Sequence, residues 1–410
     1  MTTDTSMITC EICSAKTHSI RRHIADVHAD EWTESRYKEE FPDSPLMSPI
    51  AEKRVKEALS KKKAAEAASV KELPAVKSNP GATNIKTLSV AMGDAFKLGD
   101  NKLTRSAKTG NPIMITALDK STVKEPQFIP QLDPGYIFDI EVLKTLIMGI
   151  ELKIPTYLYG HAGLGKSSIF EQIAAATNRP IRRVQHTVNT EESHIVGQYV
   201  VNHVEDPVSG ELKAKTEFQY GDLPLAMMNG EIFLADEYDR SYPSVLSVYQ
   251  AVLEGKPLHI KDAPEEMRVV HPHPEFRFVA TGNTNGAGDD TGLYQATVVQ
   301  DAATFERFGI VEKIDYMPAN QEIGILKSKC RLLEPDAKKI VDFARKIRSE
   351  AFPNSVSLTL GPRVLINIGK IGLARSNMQK GIEVAYANRL PEVERRAALD
   401  IAQRFFGRAS

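Results

Sequence analysis

From about Leu132 onward, short apolar runs alternate with longer stretches of helical periodicity. Pro155-Thr156-Tyr157-Leu158-Tyr159 is one such run, and Ser168 to Ala176 follows it as a helix. Pro180 to Val184, Ile232 to Ala235 and Phe276 to Ala280 are further runs of strand length. Ile195 to Phe218 alternates apolar and polar positions around Asp206-Pro207 and Gly210, the pattern of a hairpin. Apolar strands separated by helices predict a parallel sheet with both faces covered, an α/β fold.

The first 130 residues have a different pattern. Within residues 1–49, Ile20, Ile24 and Val27 recur at helical spacing and suggest a small core. Ala51 to Leu73 is rich in Ala, Lys and Glu around Lys61-Lys62-Lys63, and Pro74 and Pro80 end it. Residues 50–130 are therefore expected to be a helical spacer followed by a polar, loop-rich segment. The sequence thus predicts four regions: 1–49, the 50–130 linker, a 131–317 α/β domain and a helical 318–410 domain.

The whole chain has 410 residues, with 42% hydrophobic positions and a formal net charge of −1. That balance supplies a core but points to neither nucleic acid nor a charged membrane surface. No apolar run approaches the roughly 20 residues that span a bilayer. Met1 to Met7 is polar, and the three cysteines make no disulfide framework, so a cytoplasmic protein is expected.

Candidate chemistry is concentrated after the first strand. Gly160-His161-Ala162-Gly163-Leu164-Gly165-Lys166-Ser167 is a G-x-x-x-x-G-K-[ST] phosphate loop between a predicted strand and a predicted helix. Gly160, Gly163 and Gly165 permit the turns that aim backbone N–H groups at phosphate. Lys166 can reach the β- and γ-phosphates of ATP, Ser167 can hold Mg²⁺, and Ser168 begins the helix. A glycine turn that binds nothing is the competing reading.

Asp236-Glu237 closes the Ile232–Ala235 strand, where an open α/β sheet places its ligands. Asp236 is a candidate for the Mg²⁺ shell and Glu237 for activating water. Asp239 and Arg240 read as a local pair or a subunit contact. Asn283, at the end of the next strand, is a candidate to position the attacking water, although Asn285-Gly286 makes a plain turn the alternative. Arg307, between Phe305 and Phe308, reads either as a packed structural arginine or as a finger reaching a neighbour's nucleotide. Arg363, after Gly361-Pro362, opens a helix from which it could reach the same γ-phosphate.

This order of phosphate loop, Asp-Glu pair, polar strand end and two arginines resembles the AAA+ ATPases. Within them it is similar to the MoxR/CobS type, which includes the small ATPase subunit of aerobic cobaltochelatase. The similar stretches are Leu132 to Asp139, Asp236 to Asp239, Val270 to Arg277 and Gly288 to Tyr294, within a region from Leu132 to Gly407, about two-thirds of the chain. The resemblance implies an ATP-hydrolysing P-loop domain with a helical lid, extra hairpins at 199–220 and 256–270, and a hexameric ring. It assigns Lys166 and Ser167 to Walker A, Asp236 and Glu237 to Walker B, Asn283 to sensor 1, Arg307 to the arginine finger and Arg363 to sensor 2. It further implies a larger partner with an integrin-type metal-binding domain, and a tetrapyrrole-binding subunit that receives Co²⁺.

The first fifty residues depart from that pattern. Cys10-x2-Cys13-x9-His23-x4-His28 has Cys2His2 zinc spacing, with the histidines on successive helical turns. A segment this small would depend on Zn²⁺ for folding. His18 is a spare. Lys16, Arg21 and Arg22 could meet phosphates, but three charges bind nucleic acid weakly, so docking to protein is favoured. Two functions therefore stand open: the motor of a metal chelatase, or a remodelling ATPase aimed by its finger.

Overall fold

The computed structural model describes residues 7–29, 32–53, 84–99, 101–205, 212–289 and 292–407. The chain divides into two compact units, Met1–Val76 and Lys77–Ser410. In the first, Ile8–Thr9 pairs antiparallel with Lys16–Thr17, and helices Ile20–Val27 and Glu34–Glu40 follow. Ser19 and Thr33 cap these helices by accepting from the backbone N–H three residues on. Cys10, Ile20, Ile24 and Tyr37 form the core, with Trp32, Phe41 and Leu46 packed against it. Val27 is not part of it: at 59% exposure it lies on the solvent side of its helix, and Tyr37 closes the core instead. His18 is no idle spare either, because its Nδ1 hydrogen-bonds Ser48 Oγ at 3.0 Å. Most of the expected helical spacer, including Lys61 to Lys63, lies outside the described residues.

The second unit is built on five parallel strands: β1 (Thr156–Tyr159), β2 (Ile181–Gln185), β3 (Ile232–Asp236), β4 (Arg277–Gly282) and β5 (Ile310–Lys313). Their order across the sheet is β5-β1-β4-β3-β2, all neighbours parallel. Alternation along each strand divides the core in two. Tyr157, Phe233, Phe278 and Ala280 pack to one side with α3 (Asp222–Asn229), Tyr238 and Tyr249. Leu158, Leu234 and Val279 pack to the other side with α1 (Ile140–Leu152) and α2 (Lys166–Ala176). Burial on both faces explains why the central strands β1, β4 and β3 read as mostly apolar runs, whereas the edge strands β2 and β5 carry exposed polar positions.

Both extra hairpins are present, Gly197–Glu205 with Leu212–Tyr220 and Leu258–His259 with Val269–Val270. The expected turn at residues 206–210 lies outside the described residues. One element is new. Thr87–Ala91 pairs antiparallel with Met114–Leu118 inside the stretch read as loop-rich. Ile115, Ala117 and Leu118 are buried, and Thr116 donates from its N–H and hydroxyl to the Glu151 carboxylate on α1 at 2.6 and 2.8 Å.

C-terminal to the sheet, α4 (Ala319–Cys330), α5 (Glu334–Lys346), α6 (Pro362–Ala374), α7 (Met378–Ala385) and α8 (Glu392–Phe406) enclose a separate core that includes Leu326, Ile340, Phe343 and Ile368. Arg348 grips the buried Glu322 bidentately at 2.8 and 3.0 Å.

A buried charge network ties the sheet's β2 edge to its surroundings. Arg182 donates to Glu231 at 2.5 Å, Glu125 at 2.6 Å and Asp222 at 3.0 Å, and its guanidinium lies 4.2 Å from the Phe128 ring centroid. Glu231 is fully buried. Arg182→Ala is expected to strand that carboxylate and lower stability by about 3–5 kcal/mol, read by urea denaturation. A loss below about 1 kcal/mol, the scale of a surface pair, would show the network to be dispensable.

Candidate functional site

The phosphate loop leaves β1 at Tyr159 and closes on the first turn of α2. Gly160, Gly163 and Gly165 have φ of +152°, +82° and +87°, a region that disfavours side chains. At Gly160 a Cβ would also lie 2.2 Å from the Ile314 carbonyl oxygen. No side chain caps α2, so its first N–H groups are available to an anion.

Lys166 Nζ donates to the carbonyls of Gly160 at 2.8 Å and His161 at 3.0 Å, and to Asn283 Oδ1 at 3.0 Å. Burial pushes its ammonium down to about 8, against the pull of Asp239, Asp236 and Glu237. Ser167 donates to Asp236 Oδ1 at 2.6 Å. Thr281 donates to the same oxygen and Arg183 to the other. Burial alone would raise the Asp236 carboxyl; the hydrogen bonds from Ser167 and Thr281, with the Arg183 charge, outweigh it and hold the group below its ordinary value.

Glu237 follows Asp236 with a left-handed φ of 53°. Its N–H donates to Thr281 Oγ1 at 3.2 Å, and its Oε2 accepts from Arg240 at 2.8 Å and Gln185 at 3.2 Å. Asp239 turns the other way, into the interior, so the local Asp239–Arg240 pair, one of the two readings the sequence offered, does not form. Asp239 Oδ2 accepts from the N–H groups of Asn283 and Thr284, both at 2.8 Å, and from the Thr284 hydroxyl at 2.9 Å.

Beside the loop is a cavity of about 370 Å³ lined by Tyr136, Ile137, Gly163 to Gly165, Ser168, Glu171, Ile325, Arg363 and Ile366. Its volume falls in the range of small-molecule sites, with the phosphate loop along one wall. Lys329 on α4 forms an ion pair with Asp133 at its edge. Arg363, in the first turn of α6 after Pro362, lines this cavity. Arg307 is elsewhere: its Nε donates to Glu254 at 2.7 Å, its Nη1 donates to the Ala303 carbonyl, and it does not line the cavity. The structure thus brings together Gly160, Gly163, Gly165, Lys166, Ser167, Ser168, Asp236, Glu237, Asn283 and Arg363, and leaves Arg307 outside.

Four groups at the site escaped the sequence reading. Thr281 and Arg183 hold Asp236, and Asp239 holds Asn283. The fourth is Tyr294, whose hydroxyl accepts from the Ala162 N–H at 3.0 Å and meets His161 Nδ1 at 2.9 Å. Asp239 and Tyr294 belonged to stretches already singled out, but nothing in their spacing pointed Asp239 to Asn283 or Tyr294 to the phosphate loop.

In the N-terminal unit, one ligand atom each from Cys10, Cys13, His23 and His28 lies within 4.8 Å of the others. Cys13 Sγ is 3.1 Å from His23 Nε2. His28 Nε2 is buried without a hydrogen-bond partner. Two sulfurs, two imidazoles and an orphaned ring nitrogen suit a tetrahedral metal of zinc type.

Residues 155–299 match the dynein-related subfamily of the AAA domain. Over 290 residues the chain is 32% identical to the aerobic cobaltochelatase subunit CobS of a Sinorhizobium species, covering 69% of this chain and 85% of that protein. The chain is a CobS-family AAA+ ATPase. A gas vesicle ATPase of Halobacterium salinarum is 24% identical over 221 residues, 52% of this chain and 60% of that one. The RuvB Holliday junction branch migration motor of Thermotoga maritima is a looser structural likeness, with a TM-score of 0.39 and 16% identity over 63% of this chain and 72% of the other. As an AAA+ ATPase, the chain binds a nucleoside triphosphate with Mg²⁺ and hydrolyses it. Among its described residues no helix is long and apolar enough to cross a membrane.

The depressed Lys166 value sets a pH dependence. Its charged form attracts phosphate; that form prevails below about 8 and is lost above it. ATP affinity should therefore weaken above pH 8, by up to about tenfold per unit, with one proton taken up on binding. Calorimetric titrations in two buffers of different ionisation enthalpy check this; no proton uptake at pH 9 would show that Lys166 stays charged in the free protein.

Proposed function

We propose that this CobS-family ATPase is the motor of an ATP-driven metal-insertion machine, working as a closed ring, a hexamer by family resemblance, whose sites are completed by neighbouring copies. The convergence of Lys166, Ser167, Asp236, Glu237 and Asn283 beside the cavity that holds Arg363 supports the ATP chemistry, and the observation that carries metal insertion is the 32% identity to CobS. The adenosine occupies the cavity, and the phosphates lie across Gly160 to Ser168. Lys166 neutralises the β- and γ-phosphates. Ser167 and Asp236 hold Mg²⁺, which supplies charge neutralisation at the phosphates. Glu237 activates the attacking water, Asn283 positions it and Arg363 steadies the γ-phosphate from the lid.

Arg307 is the complement from a neighbour. On its own chain it is held by Glu254 and lies outside the cavity, which fits a residue presented to another copy's nucleotide. By relation to CobS, the ring acts with a larger subunit of integrin-domain type, and Co²⁺ delivered to a tetrapyrrole is the cargo.

The Cys/His cluster favours a second element, targeting. Cys10, Cys13, His23 and His28 would hold Zn²⁺, which would fix the turn between the two cysteines against the Ile20–Val27 helix. Arg21 is paired with Glu34 at 2.6 Å and Arg22 lies 3.6 Å from Asp26, which leaves little free charge for nucleic acid. Docking to a protein suits this unit better.

The deciding experiment is affinity capture of the ATP-loaded Glu237→Gln protein, expected to bind but not turn over nucleotide, followed by mass spectrometry. Recovery of an integrin-type subunit or a tetrapyrrole-binding subunit supports the chelatase reading. Recovery of unrelated proteins or nucleic acid, lost on deletion of residues 1–49, makes the protein a finger-targeted remodelling ATPase instead. For the metal, the purified full chain is expected to contain one zinc, released by chelator and absent from the Cys13→Ala variant; elemental analysis without zinc would dismiss the finger.

A further inference from the structure

We propose that Asp239 is a positioning residue for hydrolysis, which acts by setting the water-positioning Asn283. The inference rests on the role proposed above for Asn283. Asp239 is fully buried, three residues beyond Asp236 on a short 3₁₀ turn, Tyr238–Arg240. One of its carboxylate oxygens, Oδ2, collects three donors from the end of β4: the N–H of Asn283, the N–H of Thr284 and the Thr284 hydroxyl. Two consecutive backbone N–H groups aimed at one oxygen fix the peptide plane between them. That plane sets where the Asn283 side chain leaves the backbone. Its Oδ1 then meets Lys166 Nζ at 3.0 Å.

Further bonds hold both ends of this link. Tyr157 on β1 donates to the Thr284 carbonyl at 2.8 Å. The Asp239 carbonyl accepts from the Val298 N–H at 2.7 Å. Asp239 therefore joins the acidic end of β3 to the polar end of β4, so that Glu237 and Asn283 keep a fixed relation across the site. Its other oxygen, Oδ1, is buried without a hydrogen-bond partner. An asparagine at 239 can present its amide oxygen to the same three donors and turn its nitrogen to the Oδ1 side. A glutamate keeps the charge but displaces the accepting oxygen.

The test is a double-mutant cycle on the full chain, with kcat measured alongside fluorescent-ATP affinity. Asn283→Ala is expected to lower kcat on the order of 10²-fold, the scale of a lost positioned group. Asp239→Ala should do the same with affinity within about threefold of the parent, and the double variant should be no slower than either single one. Multiplying losses, or an Asp239→Ala protein with parental kcat, overturns the proposal while the Asn283 role stands. An Asn283→Ala protein with parental kcat removes the Asn283 role itself. If Asp239→Ala does not fold, the conservative pair decides: Asp239→Asn should stay within about threefold of parental kcat and Asp239→Glu should fall tenfold or more. The reverse order overturns the assignment.

Discussion

A single buried carboxylate, that of Asp236, is the constraint on which the site depends. A charge taken out of water must be met by hydrogen bonds or by opposite charge. Asp236 finds Ser167 on the first turn of α2, Thr281 at the end of β4 and Arg183 on β2. Each donor comes from a different element, so satisfying the charge also fixes where the phosphate loop meets the sheet. Lys166 is carried into place beside Ser167, and its own desolvation is offset by two loop carbonyls and Asn283. The α/β sandwich gives the site its shape, but this carboxylate sets its register.

The parts of this design that depend on local spacing were legible in the sequence. A phosphate loop needs its glycines and lysine at fixed offsets, and strands buried on both faces are written as apolar runs. What stayed hidden were the distant contacts that hold the site residues in place. Arg183 meets Asp236, Thr281 meets Asp236 and Asp239 meets Asn283 across separations of 53, 45 and 44 residues. Asp239 and Arg240 looked like a pair because they adjoin, yet the 3₁₀ turn sends one inward to β4 and the other back to Glu237. The Thr87–Ala91 and Met114–Leu118 pair was lost in a stretch whose overall polarity concealed two short strands without a clean alternation of buried and exposed positions.

The N-terminal unit teaches a related lesson. Its cysteine and histidine spacing was enough to anticipate the cluster, because the ligands lie on one turn and one helix. Its apolar core was anticipated only in part. Helical periodicity placed Val27 with Ile20 and Ile24, but the covering residue, Tyr37, arrives from the next helix, and periodicity in one element cannot say where the next will pack. Arg21 and Arg22 near it found acidic partners on the same small surface, and a charge count could not reveal that.

The cavity beside the phosphate loop has walls of two kinds. Tyr136, Gly165 and Glu171 belong to the sheet and its flanking segments, whereas Ile325, Arg363 and Ile366 belong to the C-terminal helices. A molecule seated there touches both, and acts as mortar between two separately cored bodies. An adenosine seated there, as proposed above, would bear on helices and sheet together, at a joint spanned at the rim by Asp133 and Lys329. Chemistry a few ångströms wide at the phosphates thus has a lever, some five helices long, on which to act.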